Sequence, residues 1–268
     1  MNAGTLELVA VPLRAVRRAT FWWAVGMASL VAATVAFWPA FRGSSGLSQA
    51  FGQLPSGVVQ ALGFQDIGTP AGFLRGNVYE IFVPLLLAAA AIALVNGQTA
   101  GDEAAGRLEL YLAQPVDRRA VFLGRAIAAF SALAVITVVL AAVQLGADAL
   151  FDLSIALDRV LSTLALCAML GLLHGSLAVA VAGLRARPTL VLGAGVGIAV
   201  AGYVVAALFP LSHELAPLRH LSPWDWALGG NPLEQATDAW RYAALAVPSV
   251  ALVAIGLLAV TRRDITAA

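Results

Sequence analysis

Six long apolar runs constrain this chain more than any other feature. They fall at about 19–38, 78–100, 120–145, 160–184, 189–209 and 242–260. A helix of about 20 residues crosses a hydrocarbon layer of roughly 30 Å, and each run reaches that length. Lipid offers the backbone no hydrogen-bond partner, so a run this apolar crosses as a helix that satisfies its own amides. With 60% hydrophobic and 12% charged residues over 268 positions, the apolar surplus exceeds what a water-soluble core can bury. The runs and their connections use the whole chain, which predicts a single transmembrane domain over residues 1–268. The first run is full length and no A-x-A-like site follows it, so no cleavable signal peptide is expected.

Charge sets the expected orientation. All sixteen basic residues are Arg. With a cytoplasmic N-terminus, the inner segments hold Arg14, Arg17, Arg18, Arg107, Arg118, Arg119, Arg125, Arg185, Arg187, Arg262 and Arg263. The outer segments hold only Arg42, Arg75, Arg159, Arg219 and Arg241. Arg enrichment on the cytoplasmic side selects this arrangement, which puts both termini in the cytoplasm of a cell whose inner (plasma) membrane holds the chain. The lone Cys167 falls in the fourth run and excludes an intrachain disulfide.

Between the runs, local signals predict short elements. Leu6, Val9, Leu13 and Val16 recur at helical spacing, so residues 1–18 are expected to hold an amphipathic interfacial helix that Pro12 kinks or starts. Trp22 and Trp23 then fit the headgroup level. In 210–241, Ser222-Pro223-Trp224-Asp225 and Asn231-Pro232-Leu233-Glu234 each read as a cap followed by Pro, predicting two short external helices before span six. Gly171-Leu-Leu-His-Gly175 gives span four a face on which another helix can approach closely. Glu80, near the outer end of span two, and His174, in span four, are the candidate pathway or structural polar residues. A carboxylate at that depth is costly unless paired or wet, and a lone His there more often bonds a neighbouring helix.

The stretch 101–119, GDEAAGRLELYLAQPVDRR, stands apart as water-facing. Asp102 and Glu103 open a helical segment in which Ala104, Leu108 and Tyr111 share a face, and Gln114-Pro115 stops it. Asp117 is placed to cap the third span, with Arg118 and Arg119 at its inner end. This predicts a short helix parallel to the membrane, apolar on one side and charged on the other.

The same stretch resembles the cytoplasmic loop of ABC-2-type transporter permeases, which reads as an acidic pair, a Gly, Leu-Glu, then Leu-Ala-x-Pro-Val-Ser-Arg. Glu103, Gly106, Leu108, Glu109, Leu112, Ala113, Pro115, Val116 and Arg118 match, while Asp102 and Asp117 replace Glu and Ser. The order of Thr69-Pro70-x-Gly72-Phe73, Ser222-Pro223 and Asn231-Pro232-Leu233 extends the likeness along the chain. The resemblance implies that 101–119 carries a coupling helix seated on an ATP-binding subunit, with Asp102, Glu103, Gly106, Arg107, Leu108, Glu109 and Tyr111 as its contact residues. It also implies half a transporter, completed as a homodimer or with a sister permease, that exports a lipophilic or amphipathic small molecule. ATP and Mg would belong to the partner ATPase, since a Walker A motif requires Lys and this chain has none. No catalytic residue, metal or cofactor is expected on the chain, and no nucleic-acid partner.

Two other classes compete. Asp102-Glu103-x-x-x-Arg107 also resembles the acidic motif of CAAX-type membrane proteases. Those need downstream His residues on the same side, whereas His213 and His220 fall outside on this topology. A secondary transporter would need more intramembrane charge than is present, or an inverted repeat, and none is apparent.

Overall fold

A computed structural model describes residues 3–42, 53, 68–107 and 117–263, with side chains from residue 10 onward. No strand occurs among the described residues. Span one is α1 (Ala3–Ala36), followed by a short α2 (Trp38–Phe41). Span two is assembled from α3 (Pro70–Leu74), a π-helical turn (Arg75–Tyr79), α4 (Phe82–Gln98) and α5 (Ala100–Ala104). Spans three, four and five are α6 (Arg118–Phe151), α7 (Leu157–Leu184) and α8 (Pro188–Leu208). After 3-10 turns at Phe209–Leu211 and Ala216–Leu221 come α9 (Pro223–Leu228) and span six, α10 (Ala239–Val260). Six helices are thus long and apolar enough to cross a membrane, one for each run read from the sequence.

The apolar runs fix where helices lie, and glycines fix how closely they pack. Spans two and four form the centre of the bundle, and the most apolar window of span four is 67% buried against 17% for span five. Gly171 and Gly175 do what their spacing predicts. A Cβ on Gly171 would meet Leu87 O at 3.1 Å, and one on Gly175 would meet Ala91 Cβ at 3.1 Å. The pair therefore seats span four on two successive turns of span two. The tightest seam joins spans four and six. A Cβ at Gly183 would lie 2.7 Å from Gly256 Cα, and one at Gly256 would lie 2.7 Å from Val179 O. Span one packs chiefly along span three.

Two sequence expectations change in detail. Residues before span one do not form a separate interfacial helix, because α1 runs unbroken from Ala3 with Pro12 inside it. Proline removes one amide donor near the start of a helix of 34 residues, and the apolar continuation carries the helix through. Before span six only the first of the two expected helices forms. Ser222 caps α9, its Oγ accepting from Trp224 N at 3.1 Å, with Pro223 at the first helical position. Asn231 instead adopts φ 54°, a left-handed conformation that cannot open a helix, and its side-chain amide donates to Glu234 Oε2 at 2.8 Å. The Asn-Pro-Leu-Glu stretch is a closed turn, and Asp238 precedes span six.

Candidate functional site

At the end of span two the helix breaks at Thr99, whose φ of −117° and ψ of −92° leave the helical region. The break exposes the Gln98 carbonyl, and a buried Arg125 from span three donates Nη1–H to it. The same guanidinium donates to Asp102 Oδ2 at 2.5 Å. Asp102 also accepts from Arg107 Nε at 2.8 Å and Nη2 at 2.6 Å through its other oxygen. A carboxylate between two guanidiniums ties the break in span two to span three, in charge-assisted bonds that are the stronger kind.

Glu103 faces another way. Its two oxygens accept from Arg263 Nη1 and Nη2, both at 2.7 Å, with side-chain exposures of 10% and 20% for the two partners. Arg263 lies just beyond span six, and its carbonyl accepts from Arg118 Nη1 at 3.4 Å. This bidentate clasp joins α5 to the C-terminal end of span six. The Gly183–Gly256 seam two turns earlier holds span six against span four, which sets Arg263 in place.

The acidic pair is therefore engaged within the chain. Helix α5 stops at Ala104, the backbone turns at Gly106 with φ 69°, and Gly106 N–H reaches Glu103 O at 2.9 Å. Glycine adopts that left-handed geometry without the Cβ penalty and ends the helix. The expected single helix with Ala104, Leu108 and Tyr111 on one face is interrupted there, so Ala104 is the last residue of its own element. Arg107, 58% exposed at its side chain, lies after the turn. Leu108, Glu109 and Tyr111 lie outside the described residues. Asp117 caps span three as expected, accepting from Arg119 N at 3.0 Å. Arg125 and Arg263 were counted in the sequence only as inner-side charge. Arg125 had a usable signal, an ionisable residue inside an apolar run. Arg263 had none, because its partner is 160 residues away.

The two remaining candidates sit apart from this cluster. His174 is buried, and its Nδ1 lies 2.8 Å from Leu170 O of its own helix. Its ring packs edge-on against Trp224 of α9, with centroids 5.7 Å apart. The bond expected to a neighbouring helix is thus a bond within span four, and the neighbour supplies a ring contact. Half-buried Glu80 follows the π-helical turn and, with Arg75, lines a polar cavity of about 230 Å³ at the N-terminal end of span two. The other walls come from span five, α9 and the turn around Asn231.

Among the described residues, six helices able to cross a membrane, a charged break after span two and a short capped helix before span six describe a polytopic membrane protein. The family described as "Multidrug efflux system permease Rv1217c, C-terminal domain" matches residues 7–260. The chain belongs to that family and is a permease subunit of an ABC-type efflux system. No curated protein matches the chain.

Proposed function

We propose that this chain is the membrane half of an exporter driven by a separate ATP-hydrolysing subunit, with residues 101–119 as the segment that receives the motor's motion. ATP and Mg reside on that partner. The observation that carries the reading is the double attachment of α5, to span three through Asp102–Arg125 and to span six through Glu103–Arg263. A partner pushing on the loop beyond Gly106 would move both spans together, because charge-assisted bonds at 2.5–2.7 Å transmit displacement without slack. In this mechanism Asp102 and Glu103 position and transmit, while the partner is met by Gly106, Arg107, Leu108, Glu109 and Tyr111. The membrane is the cell's inner (plasma) membrane, with both termini cytoplasmic, as the Arg distribution favours.

Transport requires a second copy of this chain or a sister permease, so that two half-transporters meet two ATPases. The poorly buried faces of spans five, six and one supply apolar surface for that contact and for lipid. The cargo is a lipophilic or amphipathic small molecule. Co-purification with the ATPase, followed by reconstitution and a screen for compounds that stimulate hydrolysis, tests the reading. A chain that transports without any ATP-hydrolysing partner would overturn it.

A further inference from the structure

We propose that the cavity at the N-terminal end of span two is a binding site for the head group of an organic cation, with Glu80 as its counter-charge. The proposal deepens the export reading, since such a site would select the charged end of an amphipathic cargo. Three observations carry it.

The first is the charge balance around the cavity. Arg75 pairs with Glu234 at 3.4 Å, and Asp225 receives Arg219 at 3.7 Å and His220 Nδ1 at 2.8 Å. Arg241 donates to the carbonyls of Asp225 and Trp226, both at 3.0 Å. The Glu80 carboxylate makes no hydrogen bond and no ion pair among the described residues, although Arg75 lies within electrostatic reach. With each arginine lining the cavity already matched to an acid, Glu80 is the lining acid left without an ion pair among the described residues. An anion would have to displace Glu234 or Asp225 from an arginine, whereas a cation meets a carboxylate whose nearby arginine, Arg75, is already engaged by Glu234.

The second is the backbone that presents Glu80. Its amide bonds Arg75 O at 2.7 Å, one residue farther back than in an α-helix. The wide turn and the non-helical Ile81 (φ −126°, ψ −58°) offset Glu80 from the register of α4. Such π-turns inside helices occur frequently at functional sites. Without that offset, a residue two positions before Phe82 would continue the face of α4.

The third is the cavity wall facing Glu80. Ala206 and Ala207 from span five, Pro210 from the 3-10 turn after it and Leu228 from α9 present apolar surfaces in the same lining as the carboxylate. Set among the charged lining of Arg75, Glu80, Arg219 and Asp225, these surfaces give the cavity both a polar and an apolar side, which orients an amphipathic ligand. A cavity of about 230 Å³ admits a quaternary ammonium or pyridinium group with its apolar body extending along span five.

The test uses the full chain in phosphatidylcholine nanodiscs, so that no anionic lipid attracts the probe, and needs no ATPase. Fluorescence anisotropy would follow a styrylpyridinium monocation, with empty nanodiscs as background and the neutral styrylpyridine analogue as competitor. Wild-type protein should bind saturably, Glu80→Gln should bind roughly tenfold more weakly, and Glu80→Asp should stay within about threefold of wild type. The neutral analogue should not compete. Unchanged affinity in Glu80→Gln, absence of saturable binding, or competition by an organic anion would overturn the site.

Should Glu80→Gln fail to fold, the wild-type protein still decides. A hydrophobic carbodiimide should modify Glu80, as read by peptide mass spectrometry, and the styrylpyridinium should protect it. Lack of protection refutes the proposal. The two readings also separate cleanly. Probe binding without ATP-driven export counts against the export reading, and ATP-driven export without probe binding counts against the site.

Discussion

Reversing the charge of Glu103 distinguishes a residue that touches the motor from one that passes its motion on. The bidentate Glu103–Arg263 pair is 80–90% buried at its side chains, so it falls between exposed pairs, worth at most about 1 kcal/mol, and fully buried ones, whose disruption costs about 3–5 kcal/mol. An intermediate cost of about 2–3 kcal/mol is expected on losing either partner. At 1.4 kcal/mol per factor of ten, that leaves α5 detached from span six roughly 30–150 times more often. Glu103→Arg and Arg263→Glu should each abolish most substrate-stimulated ATP hydrolysis and transport in reconstituted vesicles, yet still co-purify with the ATPase. The double variant restores an opposite-charge pair in reversed order and should recover a large part of the stimulation. A direct motor contact gives the contrary pattern: the double variant stays as defective as Glu103→Arg, and Arg263→Glu behaves as wild type. That result would refute the transmission role assigned to the clasp.

Three further outcomes follow from the packing and from the break in span two. Gly256→Ala places a Cβ 2.7 Å from the Val179 carbonyl, forces spans four and six apart, and should cost about 1–3 kcal/mol, seen as a lower midpoint in thermal unfolding in detergent. Gly193→Ala, where a Cβ meets nothing within 4 Å, should leave that midpoint unchanged. Asp102→Ala removes a carboxylate from buried Arg125 and should destabilise by about 3 kcal/mol, whereas Asp102→Asn, which can still accept a hydrogen bond, should cost less in the same assay. Ser222→Ala removes both the cap of α9 and the bond from Ser222 Oγ to Gly202 O at 2.6 Å, and a loss of about 1–2 kcal/mol is expected, with faster proteolysis in the segment before span six.

What could be read from sequence depended on how local its cause was. The six crossings were legible because a run of apolar residues is a local signal and lipid admits few other structures. Ser222 at the cap of α9 and Asp117 at the cap of α6 were legible for a similar reason, since each cap bonds an amide two residues away. Asn231-Pro232-Leu233-Glu234 carried the same signal and gave a turn, because Asn tolerates the left-handed backbone that closes the chain before Asp238. Pro12 lies close enough to the helix start for the apolar run beyond it to outweigh the lost amide. The partners of the acidic pair were not legible. Spacing placed Asp102 and Glu103 on one short helix, but adjacent helical residues point about 100° apart, which lets one reach span three and the other span six.

That divergence changes what the charged stretch is for. A surface built only to seat a partner would keep its charges outward, where solvent screening makes each cheap and weak. Here the two acids are committed inward to Arg125 and Arg263, and the proposed coupling role leaves the segment beyond Gly106 to meet the partner. In that proposal the glycine turn separates two tasks along a few residues: attachment to the bundle before it, and recognition after it. Substitution of Gly106 by Ala, at φ 69°, strains that junction while leaving the residues of Asp102–Arg125 and Glu103–Arg263 in place. It should therefore weaken coupling while the partner's affinity and the fold's unfolding midpoint stay near wild type. Loss of the ATPase from the purified complex instead would show that the turn belongs to the recognition surface itself.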